Sequence, residues 1–115
     1  MIYQVPYDFV LRALFPLRPT IKKLLGCYGL YHNKKLLLLL RETTVSPEFN
    51  GVFVATMPEF FIDLQTEIHT SRMIDFDLDG SKDSWIFISE DLETFEQKVI
   101  QACEMIKNGD ERIGK

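Results

Sequence analysis

Five consecutive leucines, Leu36–Leu40, constrain this chain more than any other feature. The run is far short of the ~20 apolar residues that a membrane span requires, and it reads instead as a buried strand. Successive side chains of a strand point to opposite faces, so Leu36, Leu38 and Leu40 are expected on one side and Leu37 and Leu39 on the other. Both faces then need shielding from water. A single layer of helices covers one face. Unless the N-terminal helix reaches the other, a second copy of the chain is expected to cover it, which predicts a homodimer.

The surrounding pattern divides into elements and not into domains, since it contains no repeat and no Gly/Ser linker, so residues 1–115 read as a single domain. Val10, Leu14 and Leu17 at helical spacing predict a first helix from about Tyr7 to Phe15. IKKLL at 21–25 reads as a short turn that Gly26 closes with positive φ. Strands follow at Tyr28–His32 and Lys35–Arg41, joined by a tight hairpin at Asn33, and a third lies at Val52–Ala55. Thr56-Met57-Pro58-Glu59 matches a capping box, with a helix expected through His69.

Ile74, Phe76 and Leu78 alternate with Asp75, Asp77 and Asp79, and with the strand from Trp85 they suggest a second hairpin. Ser89 or Asp91 then caps a last helix, whose apolar face is Leu92, Phe95, Val99, Cys103 and Ile106 and whose stop is Asn108-Gly109. The expected fold class is α+β, in the order α-β-β-β-α-β-β-α, with a mainly antiparallel sheet packed by helices.

Composition bounds the function. With 46% hydrophobic residues and nine Phe, the chain has material for a packed core. The start MIYQVPYDF lacks the basic and apolar regions of a signal peptide, so a cytoplasmic protein with no membrane partner is expected. In a reducing compartment Cys27 and Cys103 are expected as buried small hydrophobes, and two thiols alone cannot make a four-ligand zinc site.

The net charge of −4 conceals an asymmetry, because residues 1–41 carry seven Lys/Arg and one acid whereas residues 42–115 carry six Lys/Arg and sixteen acids. A candidate ligand or anion surface is therefore drawn from the first third: Arg18, Lys22, Lys23, Lys34, Lys35 and Arg41, interleaved with Tyr28 and Tyr31, with Trp85 as a further aromatic. Cations that grip phosphates beside aromatics that stack bases are what an accessory nucleic-acid binder needs. The acidic pI near 5.1 and the ordinary character of a Lys-Lys hairpin tip argue for a solvated surface instead.

Catalytic and cofactor motifs are missing. Asp75-Phe76-Asp77-Leu78-Asp79-Gly80 fits the first half of a calcium loop, but Ile86 stands where the bidentate Glu belongs, so an acidic-faced strand is the preferred reading and no metal is expected. Cys27 and His32 could pair as nucleophile and base, though no motif supports it. No GxSxG, Walker or GxGxxG pattern occurs, and no cofactor is expected.

LLGCYGLYHNKKLLLLLRE resembles the glycine-aromatic strand hairpin of the TfoX N-terminal domain and of the related YjbR-like proteins. DSWIFISEDLETFEQKVIQACEMI, a Trp-initiated strand leading into a helix, is also similar to that family. The resemblance implies a small α+β fold of the secretion-chaperone-like kind and, by way of TfoX, a link to regulation of competence genes. It implies no catalytic residue. Three functions stand as expectations, in falling order: a non-catalytic binding or interaction domain that forms a homodimer, an accessory nucleic-acid-binding or transcription-regulatory protein, and an enzyme using Cys27.

Overall fold

The structure is a computed structural model that describes residues 5–24, 26–69 and 84–115. The hairpin strand expected around Ile74–Leu78, with Asp75, Asp77 and Asp79, lies outside the described residues. The described elements are α1 (Phe9–Leu14), β1 (Thr20–Leu24), β2 (Cys27–His32), β3 (Lys35–Arg41), β4 (Gly51–Ala55), α2 (Phe61–Ile68), β5 (Trp85–Ser89) and α3 (Phe95–Lys107). The five strands form one sheet in the order β1-β2-β3-β4-β5, and every adjacent pair is antiparallel. The protein is thus an α+β domain.

Residues 20–24 correct the expected turn. They form β1, paired with β2 from Thr20↔Tyr31 to Leu24↔Cys27, and Gly26 at φ 78° serves the hairpin turn instead of ending a helix. IKKLL has no strong local preference. What decides it is the free backbone of β2, whose N–H and C=O groups need a ladder partner.

The β2–β3 hairpin forms as expected around Asn33. Both Asn33 (φ 52°) and Lys34 (φ 67°) have left-handed backbone, the signature of a type I′ turn, whose twist matches that of the strands.

A bulge alters the leucine register. Leu30 pairs with Leu38 and Tyr31 with Leu36, which leaves Leu37 as an extra residue in β3. Leu37, Leu38 and Leu40 consequently join the core under the helices, while Leu36 and Leu39 belong to the opposite face. The strict 36/38/40 alternation holds only from Leu38 onward.

On the helix side, Leu30, Leu38, Leu40, Val52, Val54, Ile86 and Ile88 of the sheet meet Val10 and Leu14 of α1, Leu64 and Ile68 of α2, and Val99, Ala102, Cys103 and Ile106 of α3. Each such fully buried aliphatic side chain contributes about 1.5–3 kcal/mol of hydrophobic stabilisation. The other face holds Cys27, Leu39, Phe53, Ala55, Trp85 and Phe87, packed against Leu24, Leu36 and Phe49. Phe53 and Phe87 lie 4.7 Å apart between ring centroids, and Trp85 meets Phe53 edge-on at 6.4 Å. This face is also out of water within the single chain, with Trp85 only 3% exposed. A covering twin is not needed there.

The helix starts depart from expectation. The hydroxyl of Thr56 donates to the Arg112 carbonyl at 2.6 Å and makes no cap, so α2 begins only at Phe61, after a 3₁₀ turn at Pro58–Phe60. Ser89 accepts from the Asp91 amide, but α3 begins later, at Phe95. Its stop is as anticipated: Gly109 (φ 77°) donates to Ile106 and Asp110 to Met105, a Schellman arrangement.

Beyond Leu38↔Val54 the partnership of β3 and β4 ends, and residues 112–115 fill the gap. Leu36 and Lys115 exchange both backbone bonds at 3.0 Å, Gly114 donates to Ala55 at 2.7 Å, and Ile113 bridges Thr56.

Candidate functional site

Pairing of β1 with β2 determines where the basic-aromatic residues go. Lys22 lies opposite Gly29 and Lys23 opposite Tyr28, so the two lysines project to opposite faces of the sheet. Lys22 places its ammonium 4.8 Å from the centroid of the Tyr31 ring, a cation–π pair on the face away from the helices. Tyr28 is half-buried against the helix-side core. Arg18 is exposed just before β1, and Lys34 and Lys35 are exposed at the β2–β3 tip. Because Thr20 pairs with Tyr31 and His32 with Lys35, these three cations share one end of the sheet with the start of β1.

Arg41 and Trp85 are not part of this group. Arg41 occupies the opposite end of β3 and is 6% exposed. Its guanidinium donates to the carbonyls of Ser46 (2.9 Å) and Val45 (2.6 Å) and to Asn50 Oδ1 (3.0 Å), bracing the 42–50 loop. Asn50 completes this brace by bonding both the amide and the carbonyl of Thr43. Trp85 stands four strands from β1, roughly 19 Å away at ~4.8 Å per strand, under the ammonium of Lys115 at 3.9 Å. The structure therefore brings together Arg18, Lys22, Lys23, Tyr31, Lys34 and Lys35 along one edge and separates Arg41 and Trp85 from them.

Among the described residues, none of Arg18, Lys22, Lys23, Lys34 and Lys35 makes an ion pair. The sequence supplies no acid between Phe9 and Arg41. In a protein of net charge −4, Arg18, Lys22 and Lys23 make the β1 edge a cationic strip with no ion-paired acid among the described residues.

Both thiols are withdrawn. Burial pushes the Cys27 thiol up against an opposing pull from the Arg41 charge, and burial pushes Cys103 up to about 12. They sit on opposite faces of the sheet and form no disulfide. Cys27 and His32 stand at the two ends of β2, about 16 Å apart at ~3.3 Å per residue, which is too far for a nucleophile and its base. Among the described residues no three His, Cys, Asp or Glu side chains converge as a metal site, and no helix is long and apolar enough to cross a membrane.

Two concave regions were not visible in the sequence. A cleft of about 230 Å³ lies between the β2–β3 tip (His32, Asn33, Lys35) and the end of α3 (Gly109, Asp110, Glu111). Arg112 clamps the Asp110 carboxylate at 2.6 and 2.9 Å, holding it below the usual carboxylate range, and reaches Glu67 of α2 at 2.7 Å. A shallow groove of about 400 Å³ lies between α1 and α3, where Phe9, Arg12 and Ala13 face Glu96, Ile100 and Glu104. Each pairs residues that are remote in sequence, so no local motif announces it.

Compared with known proteins, the chain matches no family model, and no curated protein or solved structure is significantly similar to it.

Proposed function

We propose that the protein is a non-catalytic interaction domain that self-associates through the outer face of α1 and α3. The observation that carries this reading is the exposure of large apolar side chains on that face. Phe15, just after α1, is 61% exposed and Ile100 of α3 is 41% exposed. Arg12 lies between them, shared by the α1–α3 groove and by a smaller depression formed with Leu11 and Phe15. A contiguous exposed apolar patch rimmed by polar residues marks a protein contact, and the shared Arg12 links Phe15 and Ile100 into one such surface.

A second copy suits this face because both charge signs are present on it. Arg12 and Lys107 lie beside Glu96 and Glu104, so a two-fold axis can bring each cation onto an acid of the other copy. The withdrawn thiols support a role without covalent chemistry. Nucleic-acid binding is the weaker reading, since Lys22 and Lys23 diverge and Arg41 is occupied within the fold.

Light scattering on the full chain at high micromolar concentration tests the proposal. A dimer is expected, and Phe15→Glu with Ile100→Glu is expected to convert it to a folded monomer. A monomer throughout, or a dimer that survives the double substitution, overturns it.

A further inference from the structure

We infer that the outer edge of β1 is a docking strand for an extended acidic segment of a partner protein, with the pattern apolar-acid-acid-apolar. The inference is independent of the α1–α3 face and goes beyond self-association.

Leu24 and Cys27 flank a two-residue turn, and such a flanking pair exchanges both ladder hydrogen bonds. Alternation along the ladder turns the N–H and C=O groups of Ile21 and Lys23 away from β2. Among the described residues neither finds a partner, since β1 is the first strand of the described sheet and no further hydrogen bond joins it to another described residue. Alternating donors and acceptors at strand spacing are met by another polypeptide in extended form. A nucleic-acid backbone presents phosphate acceptors without matching donors.

Charge then selects the class of polypeptide. Lys22 and Lys23 project to opposite faces and are flanked by the half-buried Ile21 and Leu24, so β1 reads apolar-cation-cation-apolar along its edge. Directly opposed cross-strand pairs of opposite charge are favourable and like charges are not. The complementary strand therefore carries two consecutive acids between apolar residues. Arg18 and the lysines of the β2–β3 tip, which also lack ion pairs among the described residues, extend the attraction beyond the strand. A second copy of β1 does not fit, because antiparallel self-pairing about Lys22 or about Lys23 sets that lysine directly against its own copy.

Lysines on an edge strand also serve to prevent edge-to-edge aggregation. The two roles separate experimentally, since a purely protective edge repels cationic strands without holding acidic ones.

The probe is a synthetic peptide, acetyl-Thr-Val-Glu-Glu-Val-Thr-amide, titrated into the full chain and followed by amide shifts in NMR. Saturable binding that weakens with salt is expected, with the largest shifts at Ile21 and Lys23. N-methylation of the peptide at alternate residues, which removes its edge donors and keeps its charge, is expected to weaken binding about tenfold or more. Lys22→Glu with Lys23→Glu is expected to do the same in a protein of unchanged circular dichroism. If that variant fails to fold, the N-methylated peptide still decides. The inference is overturned if the acidic peptide does not bind, if its N-methylated form binds equally well, or if a single-stranded oligonucleotide competes for the same lysines with higher affinity.

Discussion

The phenol of Tyr7 donates a 2.6 Å hydrogen bond to the Glu90 carboxylate, tying the segment before α1 to the turn that follows β5. The Tyr7 ring stands edge-on to Phe95 at 5.2 Å, and the hydroxyl also lies 3.2 Å from the Arg41 carbonyl. Tyr7 takes a left-handed backbone, φ 54°, to reach this position. Tyr7→Phe keeps the ring and removes the donor. A loss of about 1.5–3 kcal/mol is expected, at the lower end because the bond is only part-buried, and urea denaturation measures it.

Alkaline pH probes the same residue and Cys103. Burial and the Glu90 carboxylate raise the Tyr7 phenol well above its ordinary value of 10.0, and burial raises Cys103 from 9.0 to about 12. Folding favours the protonated form of each, so their contribution is complete below the unfolded value and is lost as pH rises toward the folded one. Stability is expected to fall from about pH 9 upward, between the ordinary and raised values of Cys103. Cys103→Ala should make the decline between pH 9 and 12 shallower, as read from thermal midpoints across a pH series.

Among the described glycines, Gly51 is the least tolerant of a side chain. Its φ is 149°, and a Cβ there would stand 2.1 Å from the carbonyl oxygen of Ile88 on β5. The clash is with backbone and cannot be relieved by a rotamer change. Gly51→Ala is expected to cost about 3 kcal/mol or more, or to abolish folding, as measured by thermal unfolding.

Lys34 offers the opposite case. It holds left-handed geometry at the second position of a type I′ turn, where glycine is favoured. Relief of about 1–2 kcal/mol of steric cost, offset in part by the larger backbone entropy of glycine when unfolded, leaves a net gain near ~0.5 kcal/mol for Lys34→Gly. An increase in urea midpoint with an unchanged slope checks it.

Arg41 and Lys23 separate an internal brace from a surface cation. Arg41→Met strips donors from the Val45 and Ser46 carbonyls and from Asn50, and about 3 kcal/mol of destabilisation is expected, with faster hydrogen exchange across 42–50. Lys23→Ala, on the exposed edge, should stay within about 0.5 kcal/mol of the parent.

Elements with a strong local signal are readable in the sequence: β2 through β5 by their apolar runs, and α3 by its stripe and its Gly109 stop. β1 is not, because Ile21-Lys22-Lys23-Leu24 is apolar at both ends and polar between, a spacing that suits a helical turn as well as a strand. The bulge at Leu37 was hidden for a related reason, since in a run of identical leucines a slip of register changes no letter. Thr56 shows the limit of motif reading, as its hydroxyl has a competing acceptor in Arg112 and the capping box gives way. The basic cluster was legible as a composition but not as a place. Alternation along β1 divides Lys22 from Lys23, and strand count removes Trp85.

Leu36 is bound by Lys115, and Ala55 by Gly114, so the seam between β3 and β4 is closed by amino acids encoded far downstream of either strand. Until that stretch arrives, a chain emerging from a ribosome must keep the lower part of a leucine-rich ribbon unzipped, with hydrogen-bonding groups on offer to any neighbour. Such long-range closure slows folding and prolongs the interval in which an open strand edge is exposed to aggregation. With its single indole beneath Lys115, the molecule carries its own optical reporter of the moment the zip completes.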